Sequence, residues 1–304
     1  MSAMIEMLFV PLLACALMTA MLGYLGIHVL KREVVFIDIA LAQIAALGAI
    51  TAHLALAAGH DSLLSFGCAL GATFVAAAFF AHARRTVSEI PLEAIIGVTY
   101  AIAAGACLFA AGVATGGHVH VQELLAGSIL WATWHQIVTA LAAFVVVGVC
   151  FFLCRRPFNA ISEDYEAARA RGVRVARWDF LFYALFGVVI TLSVRVAGVV
   201  VVFAFLIIPA TASAMFSART VPRLLIAWAI GVTASAAGLL SAYRWDYSVG
   251  PSVAFCLGLL LAFAVLVRAC LEGPNARFRR RVPAVRPTEK GFAASSGRED
   301  ESLE

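Results

Sequence analysis

The sequence predicts an all-α fold: a polytopic membrane helical bundle of about nine transmembrane helices plus one short re-entrant segment, N-terminus outside and C-terminus inside. Three observations carry this expectation. The 304 residues are 63% hydrophobic and 13% charged, whereas soluble domains carry about 25% charged residues. Several apolar runs approach or exceed the roughly 18–20 residues that span a bilayer as helix. Lysine and arginine are sorted between alternate connections. Lipid admits only helices or closed barrels, and the long continuous runs exclude a barrel, whose strands alternate over about ten residues.

Taken in order, the spans fall at about 7–28, 34–58, 62–82, 91–113, 134–153, 179–194, 198–217, 223–241 and 251–271. The first run lacks the positive n-region of a signal peptide; its basic residues, Lys31 and Arg32, follow the apolar stretch. It reads as a membrane helix that stays attached. Leu124 to Trp131 is apolar but covers only about 12 Å as helix, so it reads as the re-entrant or interfacial segment, preceded by Gly116 and Gly117. The domain assignment is a transmembrane unit, 1–273, and a tail, 274–304, rich in Pro, Arg, Ser and Glu and expected to be disordered.

With the N-terminus outside, the inner connections hold Lys31 and Arg32, Arg84 and Arg85, the six arginines between 155 and 177, Arg219 and Arg223, and the C-terminal cluster. Of 22 Lys and Arg, only Arg195 and Arg244 fall outside. This is the positive-inside pattern, and it accounts for the basic clusters without a nucleic-acid partner. The outer loop Tyr243-Arg244-Trp245-Asp246-Tyr247 has the aromatic character of an interface belt.

The seven cysteines lie within or beside apolar runs, and none forms C-x-x-C; they read as small apolar packing residues. No G-x-x-x-x-G-K-[ST] occurs, and the only lysines are Lys31 and Lys290, so the chain has no P-loop for ATP hydrolysis. H-E-x-x-H and G-x-S-x-G are also missing, which leaves an intramembrane enzyme without visible machinery.

The substantial inner loop runs from Cys154 to Trp178, and within it Ile161 to Gly172 reads as one short helix. Ser162 is the expected N-cap. Glu163, Asp164 and Glu166 suit the positive end of the dipole and Arg169 the negative end, and Gly172 suits C′. Helices this short are marginal alone in water, so this one packs on its own bundle or on a cytosolic partner.

Four stretches carry a resemblance to the metal-type (zinc, manganese, iron) permease subunits of bacterial ATP-binding-cassette importers: ISEDYEAARARGV, VRVAGVVVVFAFLIIPATASAMFS, GLLSAYRWDYSVGPSVAF and VQELLAGSILW. Their order and spacing, with weaker similarity in the first four spans, extend the match over about residues 5–270. The resemblance implies a helical fold shared with the larger vitamin B12 and siderophore permeases and a place in the bacterial inner membrane. It also implies a second permease copy, identical or a sister chain, a cytoplasmic ATPase and a periplasmic metal-binding protein. Ser162, Glu163, Asp164, Glu166, Arg169 and Gly172 would then form the coupling helix to that ATPase. No covalently bound cofactor is expected: the divalent metal is cargo, and ATP is used by the partner.

Many such permeases carry Gly-Asp-Ala-Leu-Ser-His in the second span, with Asp and His on one helix face. Here the stretch is Phe36 to Gln43; aligned without gaps, Ile39 replaces the Asp and Gln43 the His. Asp38 stands one place earlier, about 100° around the helix. An intramembrane carboxylate is a functional hypothesis by default, so Asp38 is a candidate for conduction or gating, with a structural hydrogen bond as the competing reading. Gln43 is a candidate transient metal ligand or an interhelical hydrogen-bonding group.

His118 and His120, with His60 in the neighbouring outer loop, are the candidate metal contacts, since imidazole is the common ligand of such cations. The competing reading is polar loop residues. Glu93 is expected near the inner interface, packed or paired with Arg84 or Arg85.

The resulting expectation is import of manganese, zinc or iron from periplasm to cytoplasm by alternating access. A metal-chelate cargo is one alternative. A gradient-driven secondary transporter is the other; it predicts transport without an ATPase and more buried charge than Asp38 alone.

Overall fold

The structure is a computed structural model of the chain and describes residues 2–56, 62–87, 89–113 and 129–271. The described residues contain helices and no strands. They are α1 (Ser2–Arg32), α2 (Ile37–Leu56), α3 (Leu63–Thr86), α4 (Leu92–Val113), a 3-10 turn (Ile129–Trp131) and α5 (Trp134–Leu153). Two short helices follow, α6 (Arg155–Glu163) and α7 (Tyr165–Ala170), and then α8 (Val175–Ala197), α9 (Val199–Phe216), α10 (Thr220–Trp245) and α11 (Val249–Leu271). All but α6 and α7 contain stretches long and apolar enough to cross a membrane, nine among the described residues. Met1–Val265 and Leu266–Glu304 form separate units, and in the second only 266–271, the end of α11, are described. The expected tail, His60, His118, His120 and most of the expected re-entrant segment lie outside the described residues.

The central element is α8. Two thirds (67%) of its most apolar window is buried, against 17% for that of α4. Phe182, Phe186, Val189 and Ile190 are fully buried, at the three- and four-residue spacing of one helix face. Around α8 pack α2, α3, α5 and α9, while α1 packs against α9 and α10. Close approach depends on missing side chains. At Gly26 a Cβ would meet the Leu206 carbonyl of α9, and at Gly231 it would meet the Thr19 side chain. Small residues at such crossings let membrane helices approach without a hydrophobic driving force.

Connections are tight. Three left-handed residues close helices: Glu33 (φ 56°), Gly172 (φ 79°) and Asp246 (φ 55°). In each case the next N–H reaches back to close the turn: Val34 to Val29 O, Val173 to Ala168 O and Tyr247 to Ala242 O. This is the Schellman arrangement. Between α8 and α9 stands a single residue, Gly198, with φ 81° and ψ 160°, a region open essentially only to glycine.

The stretch expected as one helix over 161–172 is instead two helices broken at Asp164. Ser162 is not an N-cap; it lies in the last turn of α6 and is buried, 3% exposed. Glu163 ends α6 rather than opening the next helix. The cap is Asp164, whose Oδ1 accepts the Ala167 N–H at 2.9 Å. The physical reason is that Ser162 has stronger partners than its own backbone, drawn from helices far away in sequence.

Candidate functional site

Asp38 is the second residue of α2 and is 1% exposed. No side chain among the described residues hydrogen-bonds to either carboxylate oxygen, and the only donors beside it are the backbone N–H groups of Asp38 and Ile39. The N-terminal end of α2 offers the favourable side of the helix dipole, but that is weak compensation for a carboxylate removed from water. The group is therefore held in a state that a cation or a proton would relieve.

Gln43 is half-buried on the same helix. Five positions separate it from Asp38, about 140° around the axis and about 7.5 Å along it, so the two do not converge on one face. The Gln43 backbone carbonyl accepts the Cys107 thiol of α4 at 3.4 Å. Cys107 otherwise packs with Ala46 and Ile50, which fits its reading as a small apolar residue. No group of three or more His, Cys, Asp and Glu that would hold a metal ion converges among the described residues.

The helix pair α6–α7 is docked rather than free. Phe158 and Ile161 of α6 are buried, and Ile161 packs with Ala168 of α7 and Val175 of α8. Arg169 stands in the last turn of α7; with Gly172, it is exposed.

Beneath this pair lies a polar cluster that sequence reasoning missed. Arg32 at the end of α1 donates to Asp179 Oδ1 of α8 at 2.7 Å, with both side chains fully buried. Arg84 of α3 reaches the same oxygen at 3.5 Å and the Tyr183 hydroxyl at 3.4 Å. Arg32 Nε donates to Ser162 Oγ at 2.9 Å, and His28 Nδ1 lies 3.2 Å from that oxygen. The Arg32 guanidinium stacks over Phe182, 3.8 Å from the ring centroid, and that of Arg84 over Tyr165, at 4.4 Å. Arg84 is thus turned to α8, and no ion pair of Glu93 forms among the described residues. The available signal was Asp179 itself, a carboxylate at the start of an apolar run. Counting Arg32 and Arg84 as orientation markers placed both in solvent.

Among the described residues, nine helices long and apolar enough to cross a membrane, one of them opening on a buried carboxylate, and a docked pair of short helices make up a polytopic helical membrane protein. The chain belongs to the ABC 3 transport family, which matches residues 4–268. It is 26% identical over 138 residues to a Chlamydia pneumoniae protein named "Probable metal transport system membrane protein", covering 45% of this chain and 47% of the relative. The chain thus spans about half the length of the first curated relatives it matches. It is 23% identical over 272 residues to the "High-affinity zinc uptake system membrane protein ZnuB" of Haemophilus influenzae, covering 87% of this chain and 99% of that one. Among solved structures it resembles PsaBC from Streptococcus pneumoniae in complex with Fab, with a TM-score of 0.71 at 17% identity, covering 90% of this chain and 94% of that chain. At that identity the likeness is one of fold.

Proposed function

We propose that the chain is the membrane-spanning permease subunit of an ATP-driven importer that moves a divalent metal ion, manganese, zinc or iron, from periplasm to cytoplasm across the bacterial inner membrane. The observation that carries the cation reading is Asp38, a fully buried carboxylate with no side-chain partner at the start of a spanning helix. An intramembrane acid in this state marks an ion path more often than a structural bond. Membership of the ABC 3 transport family supports the machinery around it.

In this reading ATP is hydrolysed by a separate cytoplasmic ATP-binding-cassette subunit that docks at α6–α7, where Glu163, Asp164, Glu166, Arg169 and Gly172 lie. A periplasmic metal-binding protein delivers the ion to the opposite face, where His60, His118 and His120 receive it. Gln43 is a transient oxygen ligand further along α2. A second permease copy, identical or a sister chain, completes the pathway, with the N-terminus outside and the tail 274–304 inside. The buried Arg32–Asp179 pair is neutral as a pair and ties helix ends together, so it does not favour the gradient-driven alternative.

The test is metal-stimulated ATP hydrolysis by the chain co-purified with its ATPase and binding protein, screened with manganese, zinc and iron. Stimulation by one loaded binding protein, lost in Asp38→Ala and uncoupled in Glu166→Arg, supports the proposal and identifies the metal. Transport by the purified chain alone along an ion gradient refutes it.

A further inference from the structure

The buried polar cluster is expensive. Two arginines and one carboxylate are drawn out of water, and Asp179 Oδ2, Arg32 Nη2 and His28 Nε2 are buried without a hydrogen-bond partner. Each such atom costs stability, and a well-packed apolar substitute for a buried ion pair is often as stable or more so. Stability alone therefore does not account for the arrangement.

Its connectivity does suggest a use. One arm runs from α6: Ser162 holds Arg32 of α1. The other runs from α7: Tyr165 lies under the Arg84 guanidinium of α3. Both arginines end on the same oxygen of Asp179 in α8. The two arms differ in tightness, 2.7 Å for Arg32 against 3.5 Å for Arg84, so the α3 tie is the looser one. Beyond Arg32 the chain has no slack: the turn at Glu33 is closed by hydrogen bonds from Val34 to Val29 and from Ile37 to Val34. Asp38 follows at once on α2. A displacement of α6–α7 thus reaches α1, α3 and α8 through one carboxylate, and the start of α2 through one rigid turn.

We infer that Asp179 is the positioning residue that transmits movement of the short helices α6 and α7 to the membrane bundle, by holding Arg32 and Arg84 on one carboxylate oxygen. This rests on the proposed docking of an ATPase at α6–α7. Coupling between distant sites needs a physical element that both ends bias, and here that element is the arginine–aspartate–arginine junction. The residue itself meets neither ATP nor the ion.

The experiment reads metal ions taken up per ATP hydrolysed, in proteoliposomes holding the full complex of this chain, its ATPase and the loaded binding protein. Asp179→Asn keeps shape and removes charge. Arg84→Gln leaves the Arg32–Asp179 pair whole, so it tests transmission without exposing a buried lone charge. Arg84→Gln is expected to assemble with the ATPase and to hydrolyse ATP near the parent rate while the uptake ratio falls at least about fivefold, the lower end of typical coupling effects; Asp179→Asn, which strands the buried Arg32 charge, is expected to assemble less well and to show the same fall in ratio per assembled complex. Arg84→Lys, which keeps the charge, is expected to recover most of the ratio. A ratio unchanged in Arg84→Gln, with uptake and hydrolysis falling together in proportion to assembled complex, would show a merely structural cluster and overturn the inference. A parent chain that assembles with no ATPase overturns the proposed function and this inference with it; a parent that couples normally beside unaltered variants overturns the inference alone.

Discussion

Gly26 of α1 stands directly against the carbonyl oxygen of Leu206 in α9, and a Cβ built there would also lie 2.9 Å from the Ala210 Cβ. This contact between two backbones sets how closely the first helix enters the bundle. Gly26→Ala is expected to destabilise the detergent-solubilised protein by about 1–3 kcal/mol, the range for an over-filled core. Gly105→Ala on α4, where nothing lies within 4 Å, is expected to leave stability within about 1 kcal/mol. Thermal unfolding followed by size-exclusion chromatography reads both. Equal midpoints for the two variants would contradict the packing argument.

The Arg32–Asp179 pair makes a second prediction, about stability rather than coupling. Removing one partner strands a buried charge, so Asp179→Ala alone is expected to cost about 3–5 kcal/mol. The double variant Arg32→Met with Asp179→Leu replaces both charges with apolar volume and is expected to be more stable than either single change. Additive losses in a double-mutant cycle would mean that the pair does not interact.

Asp38 should separate stability from activity. Its carboxylate is buried without a side-chain partner, so a neutral amide there costs no more than the native group. Asp38→Asn is therefore expected to unfold no earlier than the parent. Loss of a charged contact to the ion is worth about 1.5–3 kcal/mol, so uptake is expected to fall about tenfold or more. A lower unfolding midpoint with normal uptake would assign Asp38 a structural role.

Asp164 caps α7 through its side chain. Asp164→Ala is expected to cost about 1 kcal/mol of local helix stability, which weakens ATPase binding about fivefold if α7 must be folded to dock. Titration of the ATPase onto the reconstituted chain measures this. An unaltered affinity would place the contact elsewhere.

The membrane helices were legible because lipid forces every backbone group to be satisfied within its own segment, so apolar run length alone marks a span. Their ends were less so: the sixth span, read as 179–194, runs Val175–Ala197, because the helix continues past Arg177 at one end and Arg195 at the other, and a charged residue ends an apolar run without ending the helix. Ser162 shows why the inner loop was misread. Capping is a local rule, and it assigned Ser162 to its own backbone; the hydrogen bond it actually makes reaches Arg32, 130 positions away. The buried cluster escaped for the same reason. Arg32, Arg84 and Asp179 each look like ordinary end-of-span residues, and only the crossing of α1, α3 and α8 brings them onto one oxygen. Asp38 was legible as a buried acid because its neighbours in sequence are apolar, although its lack of side-chain partners was not.

The single residue between α8 and α9 bears on how the protein is made. A ribosome-bound chain that has threaded Val175–Ala197 into the bilayer has only Gly198 before the next apolar helix begins. No polar loop exists there to be translocated and held, so the two helices are expected to share one insertion event. The most buried helix of the bundle is thereby delivered together with the neighbour that covers it.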